Sequence, residues 1–537
     1  MEITASTSTD TRDAAVRVHT AVSACYPLCA WTGPPTLWTN SQGDTQLSTT
    51  KTTSVEGGGI TLRNDAIGLP GVLFQSITAM APAAAVATAL SPAILFAGAS
   101  LPLAVVLATI ACVFIASSIG QLAIHIPSAG GMYTYISRSL GVRWGFMSAW
   151  VFLLAQPLLL PLVAIIWGPY AESLVQTLTG VDIPWYVYSI LGIILVFSLT
   201  YFGIRISANA SMILGAIEIT IILALSITMI VAVGPHNDLK TFTLAYSAES
   251  GLGGLTGIFQ GLVFAFLAFV GFETAAPLGE ETHNPKRNIP RAVVFSAIVI
   301  GLLYTLASFA GVNGWGIPNI QGYPASAAPW ADLAKKYWGT VGPVIISFAI
   351  LNSALGNGNA GINATSRVAY AMGRIGTLPR AFARLSPYRT PSVAIIVHNV
   401  AALVIAIGLG LLFGVTTAFG LIGTILTLGL LILYFASCVS AFVFYRRERP
   451  QDFRVFQHVI VPVIPAIILL FVFASQVYPL PPYPLNLSLP VLAVWIVLGI
   501  LYLLYLNRTN PKGLERGKDV FLEDLEPEPK NLLSALE

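Results

Sequence analysis

The fold is decided by residues 264–282, which read FAFLAFVGFETAAPLGEET. This apolar run holds Gly271 and Glu273 near its middle, and Pro277 follows four residues later. A carboxylate inside such a run is costly in a bilayer and therefore usually faces the protein interior. The segment is predicted to be a membrane-spanning helix that is interrupted around Gly271.

A second interrupted run begins the apolar part of the chain. Residues 71–90 read GVLFQSITAMAPAAAVATAL, with Gln75, Ser76 and Thr78 ahead of Pro82. Proline lacks a backbone donor and clashes with the preceding turn, so this helix is predicted to break within residues 76–81. An ordinary kink would explain Pro82 alone, but the two interruptions together favour a binding site.

Composition places the rest of the chain in a membrane. Of the 537 residues, 55% are hydrophobic and 9% are charged, whereas soluble domains carry roughly a quarter charged residues. Apolar runs of about 18 to 25 residues recur, and each is long enough to cross a bilayer. Because backbone groups must be paired within lipid, and the runs lack the alternation of barrel strands, they are predicted to be helices. The predicted fold class is an all-α polytopic membrane protein with twelve transmembrane helices.

The predicted spans are numbered 1 to 12 in chain order. They cover residues 67–90, 94–121, 144–170, 184–204, 208–233, 253–277, 291–313, 341–366, 392–414, 416–445, 458–478 and 489–507. The loops after even-numbered spans hold fifteen Lys and Arg residues, counting those at span ends, against three in the other loops. Since cytoplasmic loops carry the basic excess, both termini are predicted to be cytoplasmic, in a protein of the cytoplasmic membrane.

Segments outside the spans give three further expectations. Residues 1–64 are rich in Ser, Thr, Asp and Gly and are predicted to be a disordered cytoplasmic tail, or else a non-native extension. Residues 508–537 are predicted to be a charged, mobile cytoplasmic tail. In the long external loop, Ala331–Trp338 is predicted to form a short helix, which is either a lid or a plain connector.

The interrupted spans 1 and 6 stand five apart, and this spacing indicates a repeat-built transporter with its site near the middle of the bilayer. Half-helix ends expose N–H and C=O groups that can hold a carboxylate and an ammonium. Burial disfavours a charged carboxyl group, so Glu273 and Glu218, in the middle of span 5, are candidates for binding a coupled proton. For each of them a structural, hydrogen-bonding role remains the alternative.

Span 8 carries a polar face. Asn352, Gly356, Asn359 and Asn363 recur at helical spacing and should lie on one side of the helix. Such a face meets other helices or a water path. Helix packing, a wall of the permeation path and a vestigial cation position all stay open.

Three motifs, in order, resemble the amino acid/polyamine/organocation permease superfamily. They are GGMYTYISRSLGVRWGFMSAW from Gly130, the run from Phe266 to Ala292, and NAGINATSRVAYAMGRIGTLPRAFARLSP from Asn359. The resemblance implies the fold of the bacterial leucine transporter, with two inverted repeats of five helices and two peripheral helices. By this resemblance the transporter domain, 65–507, has its first repeat at about 65–233, its second repeat at about 253–445 and its peripheral helices at 458–507.

The resemblance also implies a solute site at the two breaks. The positions carried over are Ser76, Ile77, Thr78, Ala79, Met80, Phe269, Val270, Gly271 and Phe272. Glu273 matches a glutamate that is proton-sensitive in some relatives, and Glu218 falls near a helix-five lysine of some proton-driven members. The chain departs from the family pattern in its first break, which reads SITAMAP and has no glycine.

The leading interpretation is a secondary active transporter of amino acids that works by alternating access, with proton-coupled import. A polyamine or amine permease and an amino acid exchanger are the alternatives within transport. A membrane-embedded enzyme is more distant, because the sequence has no HExxH motif and no close pair of intramembrane carboxylates. The expected partners are a small-molecule solute, a coupling proton and the lipid bilayer, without nucleic acid, cofactor or metal.

Overall fold

The computed structural model describes Leu62 and residues 65–247, 254–326, 328–478 and 483–517. The predicted N-terminal tail, apart from Leu62, and residues 518–537 of the predicted C-terminal tail lie outside the described residues. Within the described ranges the regular elements are helices, and pairing between extended segments is limited to two isolated bridges, Ile67 with Thr282 and Leu385 with Pro391. The all-α prediction is confirmed.

Eleven helices in the described part of the chain are long and apolar enough to cross a membrane. They are Leu69–Ala89, Ser91–His125, Val142–Thr179, Ile204–His236, Leu255–Glu281, Pro285–Trp315, Pro329–Ile375, Ser392–Phe413, Val415–Arg447, Phe456–Val477 and Leu485–Thr509. Predicted span 4 is found as Trp185–Tyr201, an apolar helix of 17 residues at the short end of the spanning range. The multi-pass membrane character is confirmed, and the count of twelve stays a prediction.

Span 8 is longer than predicted. Its helix runs from Gly342 to Ile375, whereas the predicted span ended at residue 366. In the structure Arg367 is fully buried, and its Nε lies 2.6 Å from a carboxylate oxygen of Glu281. The charge is therefore paired inside the protein, and the helix continues past it for two more turns.

Helices at corresponding positions of the two predicted repeats pack together. Span 1 contacts span 6, span 2 contacts span 7, span 3 contacts span 8 and span 4 contacts span 9. Span 1 also contacts spans 5, 7 and 8, and 83% of its apolar window is buried, against 17% for span 12. The interrupted helices thus lie in the interior, and span 12 lies at the periphery.

Two short helices flank this bundle. Met132–Leu140 precedes span 3, and Pro329–Trp338 precedes span 8. The second contains the predicted helix of the external loop, which is confirmed. Lys336 Nζ donates to the carbonyl of Gly314 at 2.8 Å, and Trp338 Nε1 donates to Thr228 Oγ1 at 3.2 Å, so the helix is fixed to spans 7 and 5. Its role as a lid or a connector stays a prediction.

Candidate functional site

The first break lies at the C-terminal end of the predicted stretch. The helix runs from Leu69 to Ala79, and Ala81 adopts the left-handed conformation with φ of 49°. A new helix starts at Pro82. The N–H group that proline lacks would have no partner within the helix at this first position, so its absence costs no hydrogen bond. Span 1 therefore consists of two half-helices that meet at Met80 and Ala81.

The second break is made by two residues of span 6. The helix ends at Phe269, Val270 is extended, and Gly271 has φ of 123°, which L side chains rarely adopt. A Cβ atom at Gly271 would also lie 2.5 Å from the carbonyl carbon of Ala79. Glycine is thus required both by the backbone and by contact with the first break. A 3₁₀ segment, Phe272–Glu281, continues the span.

Side chains cross-link the two breaks. Ser76 Oγ donates to the carbonyl of Phe272 at 2.7 Å, and Thr274 Oγ1 lies 3.4 Å from the carbonyl oxygen of Gln75 while it donates to the carbonyl of Gly271 within its own span at 2.7 Å. The hydroxyl of Tyr304, from span 7, lies 2.5 Å from the carbonyl oxygen of Met80 and 3.1 Å from that of Ala268. Backbone carbonyls freed by the breaks are therefore bound by hydroxyl groups, as buried polar groups require.

Glu218 reaches the first break from span 5. Its Oε2 accepts a hydrogen bond from the backbone N–H of Ala83 at 3.3 Å. The next N–H, that of Ala84, donates to Ser353 Oγ of span 8 at 3.1 Å. These two groups cap the second half-helix of span 1 at its positive end. Oε1 of Glu218 has no partner among the described residues.

Glu273 follows the second break directly. Its Oε2 accepts from the hydroxyl of Tyr434 in span 10 at 2.7 Å and from the N–H of Gly271 at 3.1 Å. The ring of Tyr434 stacks on Phe272, with centroids 5.1 Å apart. Within the described chain Oε1 of Glu273 is unpartnered. The carboxylate thus holds the break while it keeps one oxygen available.

A small cavity adjoins Glu273. Its volume of about 10 Å³ is enough for about one water molecule. Spans 3, 8 and 10 line it together with the segment Gly130–Tyr133. Among its lining side chains, Ser148 and Phe152 belong to span 3. Glu273 therefore borders a water-sized and largely apolar cavity.

All of the predicted solute-contact residues lie at the breaks and are buried. Between 0% and 2% of the residue surface is exposed at Ser76, Ile77, Thr78, Ala79, Met80, Phe269, Val270 and Phe272. Their side chains point in different directions. Ser76 faces span 6, and Phe269 packs edge-on against Tyr304. Thr78 instead faces spans 5 and 8 and packs closely against Gly215 and Gly356. A Cβ atom added at these two glycines would lie only 2.9 and 3.1 Å from the Thr78 side chain.

Three buried amides near the breaks were not among the predicted site residues. Gln75 Nε2 donates to the carbonyl of Ala360 at 2.9 Å, and Asn357 Nδ2 donates to the carbonyl of Ala79. Gln156, in the 3₁₀ turn of span 3, has neither amide atom paired within the described residues, and Gln75 Oε1 and Asn357 Oδ1 are also unpaired there. A glutamine or asparagine in an apolar run is the only sequence signal they give.

The polar face of span 8 packs mainly on span 5. Asn359 Nδ2 donates to Ser211 Oγ at 2.9 Å, and Ser207 Oγ donates to Asn359 Oδ1 at 2.7 Å. Asn363 is bonded to Ser207 and to the buried Arg367. Of the open alternatives for this face, helix packing accounts for the contacts of these side chains.

No group of three or more His, Cys, Asp or Glu side chains that could hold a metal ion is found in the part of the chain described here. The polar groups at the breaks are carbonyls, hydroxyls, amides and two carboxylates. Such groups can bind ammonium, carboxylate and hydroxyl groups of a small solute by hydrogen bonds.

Comparison with known proteins agrees with this architecture. The family described as Amino acid permease matches residues 67–503. The branched-chain amino acid permease BcaP of Bacillus subtilis is 25% identical over 438 residues, covering 76% of this chain and 86% of that protein. The low-affinity putrescine importer PlaP of Escherichia coli K12 is 28% identical over 309 residues, covering 56% of this chain and 66% of that protein.

A solved structure shares the fold. The crystal structure of a mutant manganese transporter from Eremococcus coleocola superposes with a TM-score of 0.55 at 14% identity, covering 83% of this chain and 94% of that one. This likeness supports the leucine-transporter-like architecture and carries no information on the solute.

Proposed function

This chain belongs to the amino acid permease family, and we propose that it imports amino acids across the cytoplasmic membrane by alternating access, coupled to protons. Its relatives are named as permeases and importers, so it is a transport protein rather than an enzyme. We assign solute contact to residues 76–80 and 269–272. We assign both termini to the cytoplasm from the distribution of Lys and Arg in the loops.

The observation that carries the proposal is the hydrogen bond from the N–H of Ala83 to Oε2 of Glu218. The positive end of a half-helix is a general binding site for a carboxylate. Here the protein's own carboxylate occupies it, at the break where the family resemblance puts the carboxylate of an amino acid.

Coupling follows from this competition. A solute carboxylate that approaches Ala83 meets Glu218, and two carboxylates in contact cannot both stay ionised without a large electrostatic cost. Protonation of Glu218 removes its charge and weakens its hold on the half-helix, so that the solute can take its place. Binding of one amino acid would then require uptake of one proton, which is the stoichiometry of a symporter.

Glu273 is the second candidate for the coupled proton. Its Oε1 has no partner among the described residues, and its side chain lines the water-sized cavity beside Gly130–Tyr133. A water molecule held in that cavity would be close enough to the carboxyl group to exchange a proton with it. The hydrogen bonds from Tyr434 and Gly271 to Oε2 also support the alternative, in which Glu273 only stabilises the break.

Amine or polyamine import is a second candidate function, and one observation favours it. The unpaired buried atoms nearest the breaks are mainly acceptors, namely Gln75 Oε1, Asn357 Oδ1, Glu218 Oε1 and Glu273 Oε1. Acceptors suit the N–H groups of an amine. The similarity to a protein named as a putrescine importer points the same way.

Solute binding by the purified full chain tests the proposal and separates the two candidates. Thermal stabilisation is measured with amino acids of each side-chain class and with putrescine, at acidic and at neutral pH. We expect stabilisation by an amino acid, stronger at acidic pH, and none by its amide derivative, which lacks the carboxylate. Stabilisation by putrescine and by the amide alone would replace amino acid transport with amine transport.

A further inference from the structure

Two surface grooves meet where span 4 ends and span 5 begins, away from the helix breaks. The first, of about 480 Å³, is lined by Arg205, Arg389, Tyr388, Pro387, Phe202 and Ile206 among others; we call it the basic groove. The second, of about 400 Å³, is lined by Leu195, Leu199, Ala210, Ile213, Phe202 and Ile206 among others; we call it the apolar groove. Because Phe202 and Ile206 line both, the two grooves are neighbours on the surface.

The basic groove carries two exposed guanidinium groups. Arg205 lies at the start of the span 5 helix, and Arg389 lies in the loop between spans 8 and 9. Arg205 Nε donates to the carbonyl of Ala66 at 3.2 Å. Within the described ranges neither arginine forms a salt bridge. No described carboxylate therefore lies within 4 Å of either guanidinium group of the groove.

The loop that carries Arg389 is fixed to the end of span 4. Thr390 Oγ1 donates to the carbonyl of Tyr201 at 2.8 Å, and the N–H of Ser386 donates to the carbonyl of Thr390 at 2.8 Å. The ring of Tyr388 packs edge-on against Phe202, with centroids 5.3 Å apart. The two arginines are thus presented by an ordered wall rather than by a loose loop.

The apolar groove runs along the lipid-facing surface. Leu195, Leu199 and Phe202 follow one another at helical spacing on span 4, and Ile206, Ala210 and Ile213 do so on span 5. Leu195 and Ile213 are 40% and 59% exposed. From Leu195 to Phe202 the groove extends for about 10 Å along the helix. Its chemistry suits a hydrocarbon chain.

We propose that the two grooves together bind one anionic phospholipid, with its phosphate between Arg205 and Arg389 and one acyl chain in the apolar groove. A free phosphate would use the first groove only, whereas an amphiphile fits a basic end joined to an apolar channel. An anionic headgroup complements the two arginines, neither of which forms a salt bridge within the described ranges, while a zwitterionic headgroup leaves their charge unmatched. Basic pockets on the cytoplasmic side of membrane proteins recognise headgroups in this way.

The position along the chain is consistent with this occupant. The loops after spans 4 and 8 belong to the set that is rich in Lys and Arg, which marks the cytoplasmic side. The cytoplasmic leaflet holds anionic lipids, whose surface attracts basic side chains. This site is separate from the helix breaks, so it stands whether or not the proposed solute is correct.

The test measures lipid binding to the purified full chain in detergent by native mass spectrometry. Phosphatidylglycerol is compared with phosphatidylcholine of the same acyl chains, and glycerol phosphate competes as a headgroup without chains. We expect phosphatidylglycerol to remain bound and phosphatidylcholine not to. A double variant that combines Arg205→Gln with Arg389→Gln should lower the affinity for phosphatidylglycerol by roughly 30-fold, since each arginine near the membrane surface contributes about 1 kcal/mol. Ala210→Trp, which fills the apolar groove, should also weaken it.

Matched control variants carry the same types of substitution at exposed positions outside the two grooves. Arg447→Gln with Arg449→Gln removes two exposed charges from the span 10 exit, and Ala224→Trp adds a ring to another exposed part of span 5. Both should bind phosphatidylglycerol as the unchanged chain does, and all variants should keep its melting temperature. Equal binding of the two lipids, or equal loss in the Arg447 and Arg449 control, overturns the proposal. Full displacement by glycerol phosphate, with Ala210→Trp unaffected, reduces the site to a phosphate site.

Discussion

The hydroxyl of Tyr434 lies 2.7 Å from Oε2 of Glu273, and this contact joins span 10 to the break of span 6. The same oxygen also accepts from the N–H of Gly271, while Oε1 has no partner among the described residues and the side chain lines a water-sized cavity. One oxygen of the carboxylate is thus structural, and we propose the other for proton exchange. Removal of the charge and removal of the hydroxyl should therefore have different effects.

Glu273→Gln should separate these roles. The amide keeps an acceptor for Tyr434 but cannot release a proton. If Glu273 carries the coupled proton, uptake driven by a pH gradient should fall strongly in proteoliposomes, while exchange of labelled for unlabelled solute survives. Tyr434→Phe is the matched variant, since it removes the hydrogen bond and leaves the carboxyl group. Full pH-driven accumulation by Glu273→Gln would assign Glu273 a structural role only.

Glu218→Gln tests the competition at the first break. The amide oxygen can still accept from Ala83, but it carries no charge at any pH. Solute affinity should then become nearly independent of pH, whereas in the unchanged chain it should rise as the pH falls, because protonation frees the half-helix. The measurement is a solute-binding isotherm at several pH values. Ser353→Ala, which removes the neighbouring cap of Ala84, should keep the pH dependence; unchanged pH dependence in Glu218→Gln would refute the mechanism.

Gly271→Ala should damage the fold at the breaks. A Cβ atom there would lie 2.5 Å from the carbonyl carbon of Ala79, and φ of 123° is unfavourable for alanine. Strain and overpacking each cost about 1–3 kcal/mol, so the melting temperature and solute binding should both fall. Gly408→Ala in span 9 is the control, because nothing lies within 4 Å of its added Cβ. Equal stability of the two variants would contradict the contact.

Arg367→Met should destabilise the protein much more than the same change at Arg138. Arg367 and Glu281 are 0% and 1% exposed, so the substitution leaves a buried carboxylate unpaired, at a cost of about 3–5 kcal/mol. The ion pair of Arg138 with Glu448 is about one-third exposed and is worth about 0–1 kcal/mol. Thermal unfolding in detergent measures both. Joint replacement of Arg367 by Met and Glu281 by Gln should recover part of the loss.

Orientation can be tested by adding one exposed cysteine at a time. In a chain where Cys25 and Cys29 are replaced by serine, Lys240→Cys should react with an impermeant thiol reagent on intact cells. Lys286→Cys should react only after the membrane is opened, because its loop belongs to the basic set. Both side chains are exposed, and Cys112 and Cys438 are buried. The reverse labelling pattern would invert the proposed topology.

The sequence by itself determined the class of the fold and the location of both breaks. Long apolar runs that lack the alternation of barrel strands form helices in lipid, and a proline or a glycine with a nearby carboxylate inside such a run marks an interruption wherever the helix packs. For this reason residues 76–81 and Gly271 could be identified before any contact was known. The same local reasoning ended span 8 at residue 366, although the helix continues to Ile375 with Arg367 buried and paired.

Only the tertiary structure decided what each polar group in the site faces. Nothing local to Glu218 indicates that its carboxylate caps Ala83, 135 positions earlier in the chain. Likewise, the partners of Glu273 and Arg367 come from span 10 and span 6. Hydrogen bonds and ion pairs depend on distances of a few ångströms between remote segments, and hydrophobic periodicity fixes which face of a helix is buried but not which side chain it meets.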